Sequence, residues 1–155
     1  MVKRILHASD FSPASRSAFS MARFLAKKLG ARLILFHAYE GIAPTMMPAP
    51  MMPMTGPAPG AIVDSLWAAA RRAGERGLER LATRARRDGL RVSTRLEVGT
   101  PAAAIVRAAR KERAAMVVLG THGRTGLPRL LIGSVAERVI RTAPCPVVTV
   151  ARRRR

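Results

Sequence analysis

The chain has 155 residues, enough for one domain around a single core. Its apolar fraction of 48% supports a folded protein, while 4% aromatics argues against a stacking surface for single-stranded nucleic acid. Lys and Arg number 28 against 9 Asp and Glu, a formal net charge of +19, and no apolar run approaches the roughly 18 residues of a membrane span.

Met1-Val2-Lys3-Arg4-Ile5-Leu6 goes directly into a strand pattern. It has neither the apolar core nor the small-residue cleavage site of a secretory leader. The one cysteine, Cys145, cannot form an internal disulfide, and a cytoplasmic location is the expectation.

Lys3 to Ser9 reads as the first strand, ending at Asp10. Asp10-Phe11-Ser12-Pro13 then turns and caps a helix, with Pro in the first helical position. Ala18, Met21, Ala22, Leu25 and Leu29 recur at helical spacing, and Gly30 stops the helix. Ala31 to Ala38 is a second strand, apolar through Leu33-Ile34-Leu35-Phe36 as in a strand covered on both faces. His37, near its end, reads as a packed histidine rather than a catalytic one.

Gly41 to Gly60 holds six prolines, five methionines and three glycines. Such a backbone is expected to sustain neither a helix nor a central strand, and to form a mobile insert acting as a lid or partner-binding loop. Met46-Met47 and Met51-Met52 have no interleaved Cys or His, so a copper(I) site is not expected. Ala61 to Asp88 predicts the longest helix, with Val63, Leu66, Trp67, Ala70, Gly74, Leu78, Leu81 and Ala85 on one face.

Arg91 to Val98 alternates polar and apolar residues, the pattern of a half-exposed strand at a sheet edge. Gly99-Thr100-Pro101 opens another helix, and Ala115 to Leu119 is a buried strand. A last helix from Ser134 to about Thr142 turns Val135, Val139 and Ile140 inward. Ala143-Pro144-Cys145-Pro146 ends it, and Pro146 to Val150 is the final strand. Strands alternating with helices predict an α/β fold, a single doubly wound parallel five-stranded sheet with helices on both faces. Ligands of such sheets lie beyond the carboxyl ends of the strands.

The glycine-rich stretch between the fourth strand and the last helix carries the functional signal. It runs Gly120-x2-Gly123-x9-Gly133-Ser134. It is neither G-x-x-x-x-G-K-[ST] nor G-x-G-x-x-G. Glycines let backbone N–H groups approach a ligand, and a helix start adds unpaired donors and positive dipole. The combination suits phosphate.

That spacing resembles the nucleotide-binding signature of the universal stress protein family, in its ATP-binding branch. Lys3-Arg4-Ile5-Leu6-His7-Ala8-Ser9-Asp10-Phe11-Ser12 looks like the family's opening strand and its acid, and Pro144-Cys145-Pro146-Val147-Val148-Thr149-Val150 like its closing strand. The resemblance covers residues 1–151 and leaves Arg152 to Arg155 as a basic tail. It implies the strand order 3-2-1-4-5, a bound ATP with Mg²⁺, and a homodimer through Pro146 to Val150. Asp10 and the backbone around Ala8, Ser9 and Ala38 would hold the adenosine, with Asp10 a metal or ribose ligand candidate. Leu119 leads into Gly120, Thr121, His122 and Gly123, which would wrap the phosphates. Arg124 and Arg129 could add charged contacts, and Gly133, Ser134 and Val135 would bind at the helix start.

The function implied is an adenine-nucleotide-binding stress-response or signalling module. The residues support a pocket better than catalysis, since no nucleophile–base pair or paired carboxylates stand at telling spacing. The alternatives are a slow ATP hydrolase or self-phosphorylating enzyme, or an electrostatic nucleic-acid binder drawing on the net charge, with the Arg152–Arg155 tail attracting polyanions.

Overall fold

The computed structural model describes residues 2–40, 59–121 and 132–151. Nine elements alternate: β1 (Arg4–Ala8), α1 (Pro13–Leu29), β2 (Arg32–Tyr39), α2 (Pro59–Arg87), β3 (Val92–Val98), α3 (Pro101–Lys111), β4 (Met116–Gly120), α4 (Ser134–Thr142) and β5 (Val147–Val150). The strands form one sheet in the order β3-β2-β1-β4-β5, and every neighbouring pair is parallel.

The central strands bury both faces, and alternate residues feed two cores. Leu6, Ile34, Phe36, Val117 and Leu119 pack with α3 and α4. Ile5, Leu33, Leu35 and Val118 pack with α1 and α2. The helix faces turned to the sheet are rich in alanine: Ala18, Ala22 and Ala26 in α1, and Ala104, Ala108 and Ala109 in α3, are all buried. Small side chains bring the helix axes close to the sheet and leave the volume to the strand aliphatics.

Local stops agree with the chain chemistry. Ser12 caps α1, its hydroxyl accepting from the Ser15 N–H at 3.2 Å, and Pro13 follows. Asp10 is not the cap: its Oδ1 accepts from the Ser12 N–H at 3.0 Å and shapes the turn before it. Gly30 ends α1 at φ 62°, where a Cβ would be strained.

The structure corrects several expectations. The composition of 41–60 argues against helix through Gly60, yet α2 begins at Pro59. Proline is compatible with a first helical turn, whose N–H groups have no intrahelical partner anyway. The remainder of the insert, 41–58, lies outside the described residues, as do His122, Gly123, Arg124, Arg129 and the tail 152–155. Met21 and Leu29, at apolar helical spacing in α1, and Leu66 and Trp67, on the apolar face read for α2, are exposed. Ile140 was assigned inward with Val139, but is 44% exposed while Val139 is fully buried. Helix α4 covers the end of the sheet, so only a narrow stripe finds strands beneath it. One residue further on, about 100° around the helix, there is nothing to pack against.

Candidate functional site

The carboxyl ends of β1, β2 and β4 and the start of α4 surround a cleft of about 620 Å³, within the range of small-molecule pockets. It lies where the strand order reverses, between β1 and β4, as open α/β sheets lead one to expect. Among the described residues, every site position read from the sequence borders it: Ala8, Ser9 and Asp10 from β1, Ala38 from β2, Leu119, Gly120 and Thr121 from β4, and Gly133, Ser134 and Val135 at α4. Seven further positions complete much of the wall: Ser15, Phe36, His37, Tyr39, Glu40, Pro101 and Ile105.

The β1 end is held by a dense set of hydrogen bonds. The Ser9 N–H donates to the Phe36 carbonyl at 2.9 Å, and the Ser9 carbonyl accepts from His37 Nδ1 at 2.7 Å. A carbonyl can only accept, so His37 carries its proton on Nδ1. The Ser9 hydroxyl accepts from the Phe11 N–H at 3.1 Å and bonds the Ser15 hydroxyl at 2.7 Å. Strand β2 therefore clamps Ser9 through both backbone groups, and Asp10 follows from a fixed point. His37 is packed, as its sequence context suggested, and it also borders the cleft.

Phe11 has φ 63°, unusual for a residue with a side chain. Its ring packs against that of His37 at a tilt of 43°, with centroids 4.5 Å apart. Two glycines on the inner side of α2 make room for this pair. A Cβ at Gly77 would stand 2.3 Å from the tip of the Phe11 ring, and one at Gly74 would stand 3.1 Å from His37 Cδ2. Both glycines weaken the helix locally. Their return is close seating of α2 on the turn that carries Asp10. Only the tertiary structure reveals this, because mid-helix glycines have no partner in the sequence pattern.

On the far wall, Gly120 meets the first turn of α1, where its Cβ would lie 3.2 Å from the Ala14 carbonyl carbon. Thr121 and Gly133 are joined directly. The Thr121 N–H donates to the Val150 carbonyl at 3.1 Å, and the Gly133 N–H donates to the Thr121 carbonyl at 2.7 Å. The amides of Thr121 and Gly133 are thus engaged by the protein's own carbonyls. Helix α4 begins with the Glu137 N–H bonding the Gly133 carbonyl at 2.9 Å, so the amides of Ser134, Val135 and Ala136 have no intrahelical acceptor. Among the described residues no side chain caps them, and these three residues border the cleft. The helix start offers donors and positive dipole to an anion.

One buried histidine stands behind the site. His7, fully buried in β1, donates through Nδ1 to the Val118 carbonyl at 3.1 Å, and its ring lies 5.6 Å from that of Phe19. Its Nε2 has no hydrogen-bond partner among the described residues. Burial pushes its pKa down to about 4, against the smaller opposing effects of the Val118 bond and Asp10. His7 is therefore a neutral core residue at neutral pH. Among the described residues no group of three or more His, Cys, Asp or Glu is placed to hold a metal ion, and no helix is long and apolar enough to cross a membrane.

A family model described as the universal stress protein family matches residues 1–151. The chain belongs to that family. Universal stress protein MJ0531 of Methanocaldococcus jannaschii is 33% identical over 153 residues, covering 97% of this chain and 82% of its own. The solved structure of protein MJ0577 superposes with a TM-score of 0.83 at 24% identity, over 100% of this chain and 99% of that one, a likeness of fold. The crystal structure of a universal stress protein in complex with cAMP superposes with a TM-score of 0.66 at 25% identity, covering 98% of this chain and 99% of the other. The universal stress protein fold, with its single parallel sheet in the order 3-2-1-4-5, is thus established here by the family match and the strand order together.

Proposed function

We propose that this universal stress protein binds an adenine nucleotide, ATP with Mg²⁺, in the cleft at the carboxyl end of the sheet, and works as a homodimer in stress response. One observation carries the reading: the start of α4, where Ser134 and Val135 have no intrahelical acceptor for their amides, borders the same cleft of nucleotide size as Asp10. The phosphates would lie against the amides of Ser134 and Val135, with Gly120 and Thr121 beside them. His122, Gly123 and Arg124 of the following loop would complete the wrap. The adenosine would lie between Asp10 and the β2 end at Ala38. Mg²⁺ is held by phosphates and few protein carboxylates; Asp10, which borders the cleft together with Glu40, would be its protein ligand. The related protein in complex with cAMP supports an adenine nucleotide as the ligand class.

The dimer would form through β5. This strand is at the sheet edge, where its outer backbone groups are a template for pairing with a second copy. Thermal unfolding tests the nucleotide: Mg-ATP at about 100 times its Kd should add roughly 2.7 kcal/mol of stability. For a domain of this size that is a rise on the order of 5–10 °C. A midpoint unmoved by ATP, ADP, AMP and cAMP alike would remove the proposal.

A further inference from the structure

We propose that the amino-terminal rim of the sheet, opposite the cleft, is a docking surface for the phosphate backbone of double-stranded nucleic acid. In a parallel sheet all strands begin on one rim, and the crossover helices end there. Here that rim is cationic along both features. Arg91, Arg32 and Arg4 stand side by side where β3, β2 and β1 begin: the Leu33 N–H donates to the Arg91 carbonyl at 2.9 Å, and Arg4 pairs in register with Arg32. At a strand spacing of about 4.8 Å, the three span about 10 Å. The helices that return to this rim end in cations as well. The last turn of α1 carries Lys27 and Lys28, that of α2 Arg86 and Arg87, and that of α3 Arg110 and Lys111. All of these residues are exposed.

Three competing accounts fall short. Last-turn cations do complement helix dipoles, but each helix end carries only about half a negative charge, less than the one or two full charges placed on it. Carboxylates neutralise little of the rim. Asp88 and Glu112 are paired with Arg23 and Arg95, and among the described residues Arg86 is the one named rim cation with a carboxylate partner, Glu79. A membrane surface would call for an apolar anchor beside the basic patch, and Leu29 is the one exposed large apolar side chain in these helix ends. Crowding like charge on one rim costs folding stability, and a polyanion relieves that cost. Arginine dominates, and its planar fork suits phosphate oxygens. The positions named carry no aromatic side chain, so backbone contact with a duplex fits better than base stacking with a single strand. The cleft is at the other rim, and this proposal stands independently of the nucleotide.

The test is fluorescence anisotropy with a labelled duplex of about 20 base pairs over a salt series, where each neutralised phosphate contact contributes about 0.9 to the slope of log K against log salt. The triple substitution Lys28→Gln, Arg32→Gln and Lys111→Gln should weaken binding and reduce the slope by about 2.7. The triple Arg72→Gln, Arg76→Gln and Arg80→Gln removes the same charge from exposed positions along α2 and should reduce it by less than about 1. Should the first triple unfold, Arg32→Gln alone, with an expected loss of about 0.9, decides the matter. Equal losses from the two triples would overturn the proposal. So would binding that vanishes on deleting Arg152–Arg155, or capture by anionic vesicles but not by the duplex.

Discussion

Replacing Gly77 by alanine sets two effects of opposite sign against each other. Alanine in a helix interior is favoured over glycine by about 0.5–1 kcal/mol. Against this, the new Cβ would stand 2.3 Å from Phe11 Cζ and 2.6 Å from both Cε atoms. Carbon atoms rest about 3.5–4.0 Å apart, so the ring must retreat by more than 1 Å. It has little freedom to do so. Its backbone is at φ 63°, its N–H is tied to the Ser9 hydroxyl, and its ring is packed against His37. Overpacking of this kind costs about 1–3 kcal/mol, so the clash outweighs the propensity gain. The expected result is a melting midpoint lower by a few degrees, at about 2–4 °C per kcal/mol for a chain of this size. Nucleotide affinity should fall with it, because Asp10 directly precedes the displaced residue. Gly60→Ala, in the same helix with open space around its Cβ, is the reference and should leave the midpoint unchanged or slightly raised. If Gly77→Ala stabilises the protein as much as Gly60→Ala, the seating of α2 on Phe11 is wrong.

His7 gives a pH dependence. Its folded pKa of about 4 is below the ordinary 6.5, so between these values the unfolded chain binds a proton that the folded chain refuses. Stability should therefore decline as pH falls from 6.5 to 4, by about 1.4 kcal/mol per unit and on the order of 3 kcal/mol in total. Urea unfolding of His7→Leu across that range should lack this component; parallel curves for the two proteins would refute the assignment. Gly120→Ala places a Cβ 3.2–3.3 Å from backbone atoms of Ala14 and Ser15, which cannot rotate away. It should lower stability by about 1–3 kcal/mol, and an unchanged midpoint in a thermal scan would mean that β4 does not abut α1 as described.

The architecture was legible because its determinants are local. Ser12-Pro13, Gly30 and the unbroken apolar runs of β2 and β4 mark boundaries without reference to anything distant. The cleft was legible for a related reason: in a parallel sheet the strand ends gather on one rim, so Asp10, Ala38 and Gly120 meet once the alternation is recognised. The rest depended on tertiary contacts. Ser15 enters the wall because its hydroxyl meets that of Ser9, and His37 because β2 passes behind the Asp10 turn. Helical spacing puts Met21 in the apolar series of α1 and turns Ile140 inward, since it gives a face but not its width. The sequence pattern also could not distinguish Gly133, whose amide donates to the Thr121 carbonyl, from Ser134, whose amide remains unpaired within the helix.

The most direct measurement is an amide-resolved NMR titration of the protein with Mg-ATP. The account predicts saturable shifts at the amides of Ser9, Asp10, Thr121, Ser134 and Val135, and little change along the opposite rim at Arg4, Arg32 and Arg91. Shifts confined to that opposite rim, or none at the start of α4 at saturating nucleotide, would contradict it.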